Sequence, residues 1–132
     1  MFSRNLVENK YLMTTQKEIG NKGERIAVGY LIREGYEILA TNWYYMHYEI
    51  DIIARDNEEL VIVEVKSRTG DTYEHPSEAV SNQKIHYLIN AAEAYIFEKN
   101  SMLDTRFDVI SIIFFGKNYQ LEHFKNAFNP TL

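Results

Sequence analysis

The chain has 132 residues, 45% of them apolar and 25% charged, the size and balance of one ordinary globular domain with its own core. It contains no cysteine, which excludes disulfides, thiolate metal sites and cysteine nucleophiles and suits a reducing cytoplasm. A net charge of −5 argues against a surface built for phosphate, and no apolar run approaches the ~20 residues that span a bilayer.

Residues 1–15 read as a mobile N-terminal extension without the apolar stretch of a secretory signal, Met13 being an alternative start. Residues 16–129 then form a single domain. A helix is expected from about Gln16 to Glu34, because Ile19, Ile26, Ala27, Tyr30 and Leu31 recur at helical spacing and Gly35 stops it. Tyr36 to Tyr45, rich in aromatic and branched residues, reads as a strand. Glu49 to Ala54 and Leu60 to Lys66 read as two more, joined by the polar turn Asp56-Asn57-Glu58-Glu59. Gly70 to Pro76 is a loop. Ser81 to Glu98 is a second helix, with Ile85, Leu88, Ile89, Ala92 and Ile96 as its apolar stripe. Arg106 to Phe115 and Tyr119 to Phe124 close the chain as strands around the turn Gly116-Lys117-Asn118. The order αβββαββ implies an α/β fold, one mixed central sheet flanked by helices.

The second and third strands carry the chemistry. A turn centred between Asn57 and Glu58 pairs positions whose numbers sum to 115, so Asp51 faces Glu64 and Glu49 faces Lys66. Acids and a lysine on strands otherwise as apolar as Ile50, Ile52, Ile53 and Leu60 through Val63 need compensation. Carboxylates crowded together raise each other's pKa unless a cation intervenes, and Mg²⁺ or Mn²⁺ suits such oxygen ligands. The plainer alternative is a lysine neutralising acids at the sheet margin. Glu24 projects from the packed stripe of the first helix and is a fourth candidate. Gly20 and Gly23 suggest that this helix approaches the sheet closely. These groups suit attack of water on a phosphodiester: Asp51 and Glu64, with the Val65 carbonyl, hold an ion, and Glu24 binds a second ion or completes the water shell of the first. Lys66 positions water or stabilises phosphoryl charge. Glu49 either extends the site or pairs with Lys66.

The motifs Gly20-x-x-Gly23-Glu24, Glu49-Ile50-Asp51-Ile52-Ile53-Ala54-Arg55-Asp56 and Val63-Glu64-Val65-Lys66-Ser67-Arg68 appear in that order. Glu78-Ala79-Val80, Arg106-Phe107-Asp108-Val109 and His123-Phe124-Lys125-Asn126-Ala127-Phe128 follow. Together they resemble the YraN-like family of uncharacterised bacterial proteins. That family is similar to the PD-(D/E)xK nucleases of restriction-endonuclease-like fold, including archaeal Holliday-junction resolvases. The resemblance implies a metal-dependent endonuclease acting on DNA, with Glu24, Asp51, Glu64 and Lys66 at the acidic-helix and D…E-x-K positions. It also implies a homodimer, whose contact would come from Tyr36 to Tyr45 or from Ile110 to Phe115. One departure is Tyr48, where the family usually has glycine before E-I-D.

Gln83 and Tyr87 have the Q-x-x-x-Y form of RecB-like nucleases, or are an ordinary helix face. Arg25, Arg68 and Lys84 are placed to meet phosphates. Trp43, Tyr44, Tyr45 and Tyr48 either stack unpaired bases or pack the sheet. The alternative to an enzyme is a nucleic-acid-binding or repair-accessory module built on the same site.

Overall fold

A computed structural model of the chain describes residues 4–70 and 80–128, with side chains from residue 16 onward. Its elements are α1 (Arg4–Arg33), β1 (Glu37–Tyr45), β2 (Tyr48–Asp56), β3 (Glu59–Thr69), α2 (Asn82–Lys99), β4 (Asp104–Phe115) and β5 (Asn118–Phe124). This is the order αβββαββ read from the sequence. The expected loop lies, beyond Gly70, outside the described residues. Helix α1 begins at Arg4 rather than near Gln16, since no glycine or proline interrupts residues 4–19. It therefore runs unbroken across the boundary drawn at residues 15 and 16. Ser81 caps α2 by accepting from the Lys84 N–H, and Asn100 ends it in a left-handed conformation.

The five strands lie side by side in chain order, antiparallel except for the parallel β3–β4 pair. Helix α1 covers one face, closing a core of Ala27, Leu31, Ile52, Val61, Val63 and Ile112. Helix α2 covers the other through Leu88, Ala91, Ala92 and Tyr95, which meet Ile50, Ile53, Leu60 and Ile62. Its buried face is thus turned slightly from the expected stripe, with Ile85 only half-buried. Strand β4 is paired on both sides, so Ile110 to Phe115 offers no free edge for a dimer; β1 is an edge strand.

A buried polar network pins the β2–β3 turn to β4. Arg106 donates to Asp56 at 3.1 Å, Glu59 at 3.0 Å, the Tyr36 hydroxyl at 2.8 Å and both Asp108 oxygens at 2.9 and 3.0 Å. His123 bridges Asp108 at 2.7 Å and Tyr30 at 3.0 Å, and the Asn126 N–H donates to Asp108 at 3.0 Å. Burial alone would raise the pKa of Asp108. These bonds outweigh it and hold the carboxyl below its ordinary value. The Arg106-Phe107-Asp108-Val109 and His123 motifs therefore serve as a clamp on strand register.

Candidate active site

The clamp fixes the register on which the site depends. Pairs run from Asp56↔Glu59 to Ile52↔Val63, all summing to 115 as the two-residue Asn57-Glu58 turn dictates. Beyond Ile52 the link between strands becomes a side chain: Asp51 Oδ2 accepts from the Val65 N–H at 2.8 Å. Regular alternation would place Ile50 and Ile52 on one face, yet Ile50 joins the α2-side core and Ile52 the α1-side core. Strand β1 is irregular at the same level, where Asn42 adopts a left-handed φ of 48°. Asp51 and Asn42 therefore sit where both strands twist out of their pleat.

The result is a carboxylate cluster. Among the described residues, Glu24, Glu49 and Asp51 each bring a carboxylate oxygen within 4.8 Å of the other two. The Asn42 amide, oriented by its partners, donates to Glu49 Oε1 at 2.7 Å and Glu24 Oε2 at 3.1 Å. Burial, then the charges of Asp51 and Glu49, push the Glu24 pKa up, and the Asn42 bond moderates this. Burial likewise raises Asp51 against the lowering effect of the Val65 N–H and Lys84. Glu24 reaches the cluster because α1 lies against β3 at Gly23, where a Cβ would stand 1.7 Å from Ser67 Oγ and 2.8 Å from Ser67 Cβ. Gly20 meets nothing within 4 Å, so the close approach belongs to Gly23 alone of the two.

Glu64 is buried beside Asp51, with Oε1 3.7 Å from both the Lys66 and Lys84 ammonium groups. Its Oε2 is buried with no hydrogen-bond partner. Burial, then the Asp51 charge, pushes its pKa up from 4.5 to about 7, despite both lysines. Asp51 and Glu64 thus feel each other's charge, and the Lys66 ammonium stands 3.7 Å from Glu64 Oε1. Val65 enters through its N–H. Arg25 shares a cavity of about 410 Å³ with Glu24, Asp51, Thr41 and Asn42. Gln83 hydrogen-bonds Tyr87, on which Tyr48 stacks at 4.5 Å and 20°. The Tyr48 ring is therefore held on the α2 side of β2. Arg68 is half-buried further along β3, in register with Ile113.

The sequence leaves Glu49 either extending the site or pairing with Lys66, and the structure sets its carboxylate with those of Glu24 and Asp51; Asn42, a left-handed polar residue in an aromatic strand, carries no sequence signal. Lys84, expected to meet phosphate, has its ammonium 3.7 Å from Glu64 Oε1. The donor set, all hard carboxylate oxygen with one buried oxygen orphaned, fits a hard divalent cation.

The chain matches the family described as Uncharacterised protein family UPF0102 over residues 23–112. It is 40% identical over 116 residues to a UPF0102 protein of Parabacteroides distasonis, covering 88% of this chain and 96% of that protein. A UPF0102 protein of Bacteroides thetaiotaomicron is 42% identical, covering 91% and 99%. One from Geobacter metallireducens is 46% identical, covering 85% and 93%.

Proposed function

The chain belongs to the UPF0102 family, and from that footing we propose that it is a divalent-metal-dependent endonuclease hydrolysing DNA phosphodiesters. One observation carries the reading: Glu24, Glu49 and Asp51 converge within 4.8 Å, beside the buried Glu64 and the Lys66 ammonium. Mg²⁺ or Mn²⁺, held by Glu24, Glu49, Asp51 and Glu64 with the Val65 carbonyl, would supply Lewis acidity at the phosphoryl group and an acidified water. The Val65 N–H fixes the Asp51 carboxylate, and the Asn42 amide fixes Glu24 and Glu49, so the oxygens are oriented before anything binds. Lys66 orients the attacking water or neutralises charge on the phosphoryl oxygens. Lys84 keeps Glu64 from carrying an uncompensated charge in its buried position.

A second reading, a DNA-binding or repair-accessory module without turnover, is favoured by the engagement of both Lys66 and Lys84 with Glu64 and by the net charge of −5. Labelled single-stranded, duplex, flapped and four-way DNA incubated with Mg²⁺, Mn²⁺ or chelator separates the two. Cleavage that needs the ion and disappears in Asp51→Asn supports the nuclease; binding without cleavage in every arm supports the module. No described helix is long and apolar enough to cross a membrane, and the absence of cysteine suits a cytoplasmic setting. Two cuts on opposite strands would suit a homodimer formed along the β1 edge. A monomeric mass with and without DNA at micromolar concentration would rule that out.

A further inference from the structure

The structure separates the aromatic residues of β1 and its turn into those that pack and one that borders the carboxylates. Trp43 meets Tyr95 edge-on at 5.3 Å and Tyr48 stacks on Tyr87, so both rings are committed to the α2 side. Tyr44 is different. It is 61% exposed and pairs in register with Glu49 across the β1–β2 ladder. Its ring thus stands at the lip of the acidic cluster with a broad apolar surface open to solvent.

Tyr44 also lines a groove of about 830 Å³ together with Tyr45, Met46, Tyr48 and Phe97. Among the described residues lining it, the charged ones are Glu93 and Glu98. Acids among aromatic rings repel phosphates, while the rings accept neutral bases. In duplex DNA the bases are stacked inside and the phosphates face outward, so such a lip has nothing to grip. An unpaired strand can turn a base onto it, and a base on an aromatic ring binds without regard to sequence.

We infer that the site accepts an unpaired stretch of DNA rather than intact duplex, with a nucleobase beside the scissile phosphate laid on the Tyr44 ring. This rests on the nuclease reading and names its substrate class. Tyr44 is a specificity-determining residue: the ring receives the base, and its register opposite Glu49 sets the ring beside the carboxylates.

The test measures binding of one labelled oligonucleotide, single-stranded and as its duplex, in Ca²⁺ to suppress turnover, with the same strands cleaved in Mn²⁺ as a separate readout. The parent should bind the single strand roughly ten-fold more tightly than the duplex, and Tyr44→Ala should lose roughly that factor on the single strand alone. Tyr44→Phe should keep most of the preference, because the ring remains. Stacking is also read directly, by quenching of a 2-aminopurine placed beside the cut, which Tyr44→Ala should relieve. Equal loss on both DNAs, or a parent that prefers duplex, would overturn the inference. Single-strand preference with no cleavage in Mn²⁺ would sink the nuclease reading while leaving strand selection standing. Cleavage without such a preference would do the reverse.

Discussion

Asp51→Asn tests the acidic pair most directly, because the amide keeps an oxygen for the Val65 N–H while removing one charge. Glu64 has its pKa pushed up from 4.5 to about 7. At about 1.4 kcal/mol per pH unit, keeping it ionised in the fold costs on the order of 3 kcal/mol. A raised carboxyl pKa contributes stability that is complete below its unfolded value of 4.5 and lost as pH rises through about 7. The metal-free parent should therefore lose melting temperature between about pH 5 and about pH 8. Burial is the largest cause of the shift and remains in the variant; the Asp51 charge is the next and disappears. Asp51→Asn should therefore gain on the order of 1 kcal/mol near pH 8, or a few °C for a domain of this length. Thermal melts in chelator read this gain, and repeats with Mn²⁺ read the ligand's own effect. Ion at a hundred-fold excess over its dissociation constant stabilises the parent by about 2.7 kcal/mol and should leave the variant nearly unmoved. Equal Mn²⁺ shifts in the two proteins, or parallel pH slopes in chelator, would refute the assignment of Asp51 and Glu64 to one site.

Three further outcomes are expected. Lys66→Ala should abolish cleavage while leaving Ca²⁺-dependent DNA binding largely intact, read by anisotropy and gel assay in parallel; the slope of log affinity against log salt should be shallow, about −2 to −4, because few basic residues line the site. Gly23→Ala drives a Cβ to 2.8 Å from Ser67 Cβ, so denaturant unfolding should show a loss of about 1–3 kcal/mol and Mn²⁺ affinity should fall as Glu24 is displaced. Asp108→Asn leaves Arg106 buried with a broken partner and should cost about 3–5 kcal/mol in the same assay, without altering the ion's midpoint in whatever protein remains folded.

Much of this was legible locally. A two-residue turn fixes the register from Asp56↔Glu59 to Ile52↔Val63, one position short of Asp51 and Glu64, and Asp51 then reaches the neighbouring Val65 N–H. Helical spacing likewise turns Glu24 toward the sheet, and Gly23 marks the close approach. Asn42 escaped because its role depends on a left-handed conformation inside a strand, where alternation stops predicting direction. Pairing rules oppose Glu49 to Lys66, whereas in the structure its carboxylate lies with those of Glu24 and Asp51. Lys84 and the Arg106 clamp join residues far apart in the chain, for which no local pattern exists. The early start of α1 was missed because a helix without a stop signal carries no mark of where it begins.

The parallel pairing of β3 with β4 has a consequence for how the protein is made. Glu59 must wait for Asp104, and Thr69 for Phe114, before the two strands can join. Every candidate residue from Glu24 to Lys84 has by then been synthesised, yet Glu64 cannot be buried until its neighbour Val109 arrives. Closing so long a loop is slow compared with forming the hairpins on either side of it. A nascent or truncated chain ending before Asp104 would hold the full set of acids and lysines in sequence and still lack the site. The last third of the polypeptide, which supplies no candidate ligand, decides when those acids come together.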